Sequence, residues 1–172
     1  MNRATFDFTG AQVLVTGGTS GIGFAIATTL ADAGAVVTVT GRRASPEEYG
    51  TALERFGYRQ LEMTDPGSID RLVGSLSALD VLVNNAGANL PGGRDEWEPD
   101  TFSTAVALNL TGPMRLTVGC HDLLSASSLE GGDVRSFVDR VHDQARVRGE
   151  STGARIRLQQ RTPAPLPTAE AA

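Results

Sequence analysis

Gly17, Gly21 and Gly23 punctuate the run T-G-G-T-S-G-I-G that begins at Thr16. Glycine accepts left-handed backbone and lets other groups approach the main chain, so a run of this kind can present amide N–H groups to an anion. Thr19 and Ser20 supply hydroxyl donors beside those amides. The chemistry this favours is the binding of a phosphate or pyrophosphate. Two guanidinium groups, Arg42 and Arg43, follow Gly41 some twenty residues later, with no acidic neighbour immediately before them. A planar guanidinium grips phosphate oxygens in a fixed fork, so this pair suits a second phosphate.

These groups act together only if the chain between them folds as strand, turn and helix. Ala11 to Thr16 is a short apolar, β-branched segment, and the pattern F-A-I-A-T-T-L-A-D-A after the glycines is helical. The run A-V-V-T-V-T after Gly34 predicts a second strand, apolar enough to be covered on both faces. A helix is expected over residues 44–56 and a third strand over Tyr58 to Met63. Asp65-Pro66 reads as a helix cap and first helical residue, leading to about Ser77. The run L-D-V-L-V-N-N-A-G predicts a fourth strand closing in a polar turn, and a loop over residues 89–99 precedes a helix from Thr101 to about Leu124.

Such alternation requires a parallel sheet with helices on both faces, a doubly wound α/β domain of Rossmann type. In that fold the glycine-rich turn sits after the first strand, where the helix amino end favours a dinucleotide's pyrophosphate. The residue ending the second strand faces the adenine ribose; a carboxylate there binds the 2′-hydroxyl, whereas arginine accommodates a 2′-phosphate. Gly41 followed by Arg42 and Arg43 therefore favours NADP(H) over NAD(H).

The composition narrows the class further. The 172 residues carry a net charge of −5, which argues against a nucleic-acid partner, since that role needs a basic face. No apolar run approaches the ~20 residues of a membrane span, and no signal pattern opens the chain, so a cytoplasmic protein is expected. The single Cys120 cannot form an intrachain disulfide and is expected to be packed inside. His121 and His142 lack metal-like partners. Residues 1–132 are read as the dinucleotide-binding domain, and residues 133–172 as a divergent tail without fixed structure. That tail holds seven of the fifteen basic residues, all of them arginine, and closes on T-P-A-P-L-P-T-A-E-A-A.

Thr16 to Gly23 resembles the T-G-x-x-x-G-I-G signature of the short-chain dehydrogenases/reductases, and N-N-A-G over Asn84 to Gly87 resembles that family's second signature. The resemblance implies a cofactor site built from Thr16, Gly17, Thr19, Ser20, Gly21, Ile22, Gly23, Asn85, Ala86 and Gly87, with Arg42 and Arg43 at the ribose. It places Asp65 near the adenine amino group, and Asn109, in A-L-N-L-T-G, in the water-holding position of a proton relay. The implied activity is hydride transfer between NADP(H) and a small alcohol or carbonyl compound. Family members commonly form dimers and tetramers through the helix corresponding to residues 101–124 and its successor, which this chain lacks; that weakens the case for a homo-oligomer.

The family's general acid/base is a tyrosine paired with a lysine in Y-x-x-x-K, following the fifth strand. Here the tyrosines are Tyr49 and Tyr58, far upstream, and there is no lysine. The chain is therefore expected to bind a dinucleotide but to be impaired in proton transfer. A non-catalytic dinucleotide- or partner-binding module is the alternative. A truncation or reading-frame shift after about residue 132 would account for both the lost motif and the arginine-rich end, because a shifted reading of Arg155 to Arg161 can encode a Y-x-x-x-K motif.

Overall fold

The computed structural model describes residues 7–50, 52–88 and 97–129. Four strands form one sheet: β1 (Gln12–Val15), β2 (Val36–Gly41), β3 (Gly57–Gln60) and β4 (Val81–Val83). Their order is β3-β2-β1-β4, and every neighbouring pair is parallel. Val13 lies between Val37 and Val81 in register, so the centre of the sheet is valine. The doubly wound α/β expectation is met.

Alternate side chains of each strand point to opposite faces, and each face has its own helices. Val13, Val15, Val37, Val39, Val81 and Val83 pack with Ala27, Phe24 and Leu30 of α1 (Gly21–Asp32). Phe56 closes that layer edge-on to Phe24, ring centroids 5.8 Å apart. Leu14 and Leu82 face the other way, onto Ile69 and Leu72 of α2 (Pro66–Gly74) and Leu116 and Cys120. Both faces of β1 and β4 are thus buried, which is why these strands are almost uniformly apolar, whereas the edge strand β3, G-Y-R-Q, is largely exposed.

Four expected elements differ. The helix over 44–56 is reduced to one 3₁₀ turn, Pro46–Glu48. Ser45 and Glu48 form a capping box that starts it, but Tyr49 leaves in extended backbone and carries its ring back toward β2. The third strand stops at Gln60, although Leu61 and Met63 remain buried beyond it, and α2 ends at Gly74 instead of Ser77. The helix over 101–124 is divided into α3 (Pro99–Val106), a π-helical turn (Ala107–Thr111), α4 (Gly112–Gly119) and α5 (His121–Ser125). Pro113 explains the break: it has no N–H, and its ring would strike the carbonyl of residue 109 in a straight helix. The whole tail 133–172 lies outside the described residues, as does most of the 89–99 loop.

Cys120 is fully buried, and desolvation pushes its thiol up to about 11. Its reaction with a thiol reagent at pH 8 is therefore expected to be slow in the folded chain and fast in urea, because only the thiolate is nucleophilic. The raised value also means that the folded state holds its proton where the unfolded chain releases it. The stabilisation is complete below 9.0, the ordinary value of the thiol, and is lost as pH rises toward about 11. Equal reaction rates with and without urea would refute the packing described here.

Candidate functional site

Because all four strands run in parallel, their carboxyl ends share one edge, and the sequence motifs gather there. Gly17 and Gly21 both adopt positive φ, +64° and +54°, where only glycine is unstrained. Gly17 also faces the β4 turn so closely that a Cβ would come within 2.9 Å of Ala86 Cα. Nothing lies within 4 Å of the corresponding point on Gly21, so the start of α1 is open to an incoming group.

Thr16 is fully buried and ties the two turns together. Its hydroxyl donates to Val83 O at 3.2 Å and accepts from the backbone N–H of Asn85 and of Ala86, each at 3.0 Å. Asn85 answers from the other side, its amide donating to Thr16 O at 3.0 Å and Gly17 O at 3.1 Å. The Gly17 N–H donates to Thr40 Oγ1 at 3.2 Å, which links the same turn to β2. The polar side chains of Thr16 and Asn85 thus shape the loop, while amides and small residues remain for a ligand. Gly23 is needed for the same joint, since a Cβ there would overlap both Asn85 Nδ2 and Gly17 O.

Ser20 caps α1 with its backbone only; its side chain makes no cap hydrogen bond, and no acidic residue occupies the first turn. Ile22 is half exposed beside it, and Thr19 is buried against Gly41. An uncapped helix amino end with positive-φ glycine before it fits a pyrophosphate, whose charge the N–H groups and helix dipole favour. A bound nicotinamide dinucleotide would supply hydride chemistry, and Thr19, Ser20 and the amides of residues 21–23 are the groups placed to hold its phosphates.

Arg42 and Arg43 are exposed at the end of β2, and neither pairs with a carboxylate among the described residues. Asp65 serves as the α2 cap, accepting from Gly67 N at 2.9 Å, and meets Arg71 at 3.4 Å. Gly87 is exposed just beyond Ala86. Asn109 lies in the π-helical turn, which aims its amide at the segment that follows β4: Oδ1 accepts from Ala88 N at 3.2 Å and Nδ2 donates to Ala88 O at 3.3 Å. Asn84 donates to Thr117 Oγ1 at 2.9 Å, and its buried Oδ1 has no partner among the described residues.

Sequence reading gave no role to Thr40, Tyr49 or Tyr58. Tyr49 places its hydroxyl over Gly41, and both tyrosines bond the backbone of Arg43. The available signal was slight: the chain's two tyrosines, nine residues apart, both follow shortly after Gly41. No group of three metal-ligating side chains occurs among the described residues, and no helix among them is long and apolar enough to cross a membrane.

Residues 11–134 match the family model described as short chain dehydrogenase. The D-beta-hydroxybutyrate dehydrogenase of Cupriavidus necator is 32% identical over 118 residues, covering 63% of this chain and 45% of the relative. A tropinone reductase homolog of Datura stramonium is 32% identical over 130 residues, 69% of this chain and 48% of that protein. The chain thus spans about half the length of the curated relatives it matches. Among solved structures, a short chain dehydrogenase/reductase family protein superposes with a TM-score of 0.62 at 31% identity, over 70% of this chain and 52% of that one. The RhlG/NADP active-site complex of Pseudomonas aeruginosa gives 0.60 at 28% identity, over 74% and 54%.

Proposed function

The chain belongs to the short-chain dehydrogenase family, and on that premise we propose that it binds NADP(H) across the carboxyl edge of its sheet, as an oxidoreductase for a small alcohol/carbonyl pair whose proton transfer is impaired. The observation that carries the reading is the pairing of an open, uncapped α1 amino end at Gly21 with two exposed arginines at the end of β2. The first suits a pyrophosphate. The second suits a 2′-phosphate, and Gly41 offers no carboxylate to repel it. The RhlG structure is an NADP complex, which adds support by likeness.

Within this reading Asn109, bonded to the backbone of Ala88 in the segment that follows β4, is the residue that would hold a relay water. A second reading, a module that binds the dinucleotide without turnover, is favoured by one observation. The 172 residues contain no lysine, and both tyrosines are engaged with the backbone of Arg43.

Titration of the chain with NADPH and NADH, followed by nucleotide fluorescence, tests the binding. Saturable affinity with NADPH preferred supports it; saturation by neither refutes it. NADPH oxidation over a panel of carbonyl compounds then separates the two readings, since turnover requires the enzyme and binding alone indicates the module. Exchanging Arg42 and Arg43 together for alanine is expected to weaken NADPH about tenfold or more, one charged hydrogen bond contributing about 1.5–3 kcal/mol. NADH affinity should stay within about twofold, because that nucleotide has no 2′-phosphate to lose.

A further inference from the structure

Gly41 ends β2 where a ribose-facing side chain would begin, and that space is already filled. A Cβ on Gly41 would overlap the Tyr49 hydroxyl and lie 2.8 Å from both Tyr49 Cζ and Thr19 Cγ2. No side chain fits at position 41 while Tyr49 keeps its place, a ribose-binding carboxylate included. The same hydroxyl accepts a hydrogen bond from Arg43 N at 2.9 Å, and the Arg43 guanidinium carbon stands 4.9 Å from the centre of the Tyr49 ring. Tyr58, on β3, donates to Arg43 O at 2.6 Å. Gln60 donates its amide to Arg42 O at 2.9 Å.

An exposed arginine at the end of a strand ordinarily samples many rotamers, and ordering it on binding costs affinity. Here three side-chain hydrogen bonds fix the backbone of the arginine pair, and an aromatic face supports one guanidinium. Burial and the neighbouring Tyr49 hydroxyl raise the pKa of Tyr58 far above neutrality, so it stays a donor to Arg43 at any working pH.

We propose that Tyr49, supported by Tyr58, is a positioning residue that sets the preference for a 2′-phosphorylated nucleotide by holding Arg43 in place and by occupying the space a carboxylate at position 41 would need. This rests on the NADP(H) reading above. The Tyr49 hydroxyl acts on the nucleotide through Arg43 and not directly, so the effect of removing it must vanish when the Arg43 side chain is gone.

The test is a double-mutant cycle on the full chain, with NADPH and NADH titrated separately against wild type, Tyr49→Phe, Arg43→Ala and the combination. Tyr49→Phe keeps the ring and removes the hydroxyl. It is expected to lower the NADPH/NADH affinity ratio about fivefold, the worth of one hydrogen bond, and to leave the ratio unchanged in the Arg43→Ala background. Tyr58→Phe, which removes only the donor to Arg43 O, should lower the ratio in the same direction and serves if Tyr49→Phe fails to fold. A wild-type chain that prefers NADPH together with an unchanged ratio in Tyr49→Phe, or an equal loss with and without Arg43, overturns the assignment to Tyr49. Saturation by neither nucleotide, or preference for NADH, instead overturns the cofactor reading itself.

Discussion

Replacing Gly23 with alanine is expected to destabilise the chain by about 2 kcal/mol and to weaken NADPH binding at least tenfold, although alanine is the better helix former. Gly23 lies in the first turn of α1, where helix propensity alone would favour alanine by about 1 kcal/mol. Against that, the added methyl would overlap Asn85 Nδ2 and Gly17 O, with the Gly17 carbonyl carbon only 3.0 Å away. Overpacking of this kind costs about 1–3 kcal/mol and occasionally more. Here the obstacle is backbone on one side and a doubly hydrogen-bonded amide on the other, so neither can yield cheaply. The steric term therefore outweighs the propensity term. Relief requires α1 to move away from the β1 turn, and with it the amides proposed to hold the pyrophosphate. Urea unfolding and an NADPH titration of the same variant check both halves, and a Gly23→Ala chain as stable as wild type would refute the close joint.

Thr16→Val is expected to cost still more, about 2–5 kcal/mol, with Thr16→Ser close to wild type. Valine matches threonine in shape and removes only the hydroxyl that accepts from Asn85 N and Ala86 N and donates to Val83 O. Each partner left unsatisfied out of water costs about 1–3 kcal/mol, and two amides are stranded at once. Against a typical total of about 5–15 kcal/mol, that is a large fraction of the stability. The paired serine variant separates the hydroxyl from the packing. Equal denaturation midpoints for valine and wild type would show that the hydroxyl does not bind the two turns together.

Both predictions concern one joint, which was only half legible in the sequence. The two signatures could be located because each is local. Glycines at 17, 21 and 23 mark a turn that opens a helix, and Asn84 to Gly87 marks the end of an apolar run. That they meet could be anticipated from the parallel order of the strands. The manner of meeting could not: Thr16 and Asn85 looked like ligand-facing polar residues, and the structure turns both inward to hold backbone. Gly23 had been read as a place for the pyrophosphate to approach, whereas its missing side chain makes room for Asn85 and Gly17. The helix over 101–124 misled for a related reason. Its apolar spacing is helical throughout, and the consequence of Pro113 for the backbone at Asn109 appears only in the folded chain.

The sequence by itself determined the alternation of strand and helix, the parallel sheet, the glycine turn at the first strand and the arginine pair at the second. Each follows from periodicity or backbone preference within a dozen residues, where neighbours in the chain are neighbours in space. Tertiary structure alone decided which polar groups face a ligand and which face each other. Thr16 and Asn85 lie 69 positions apart, and Arg43 and Tyr58 fifteen. Contacts across such separations are fixed by the sheet order β3-β2-β1-β4 and by the space each missing side chain leaves, which no local pattern encodes.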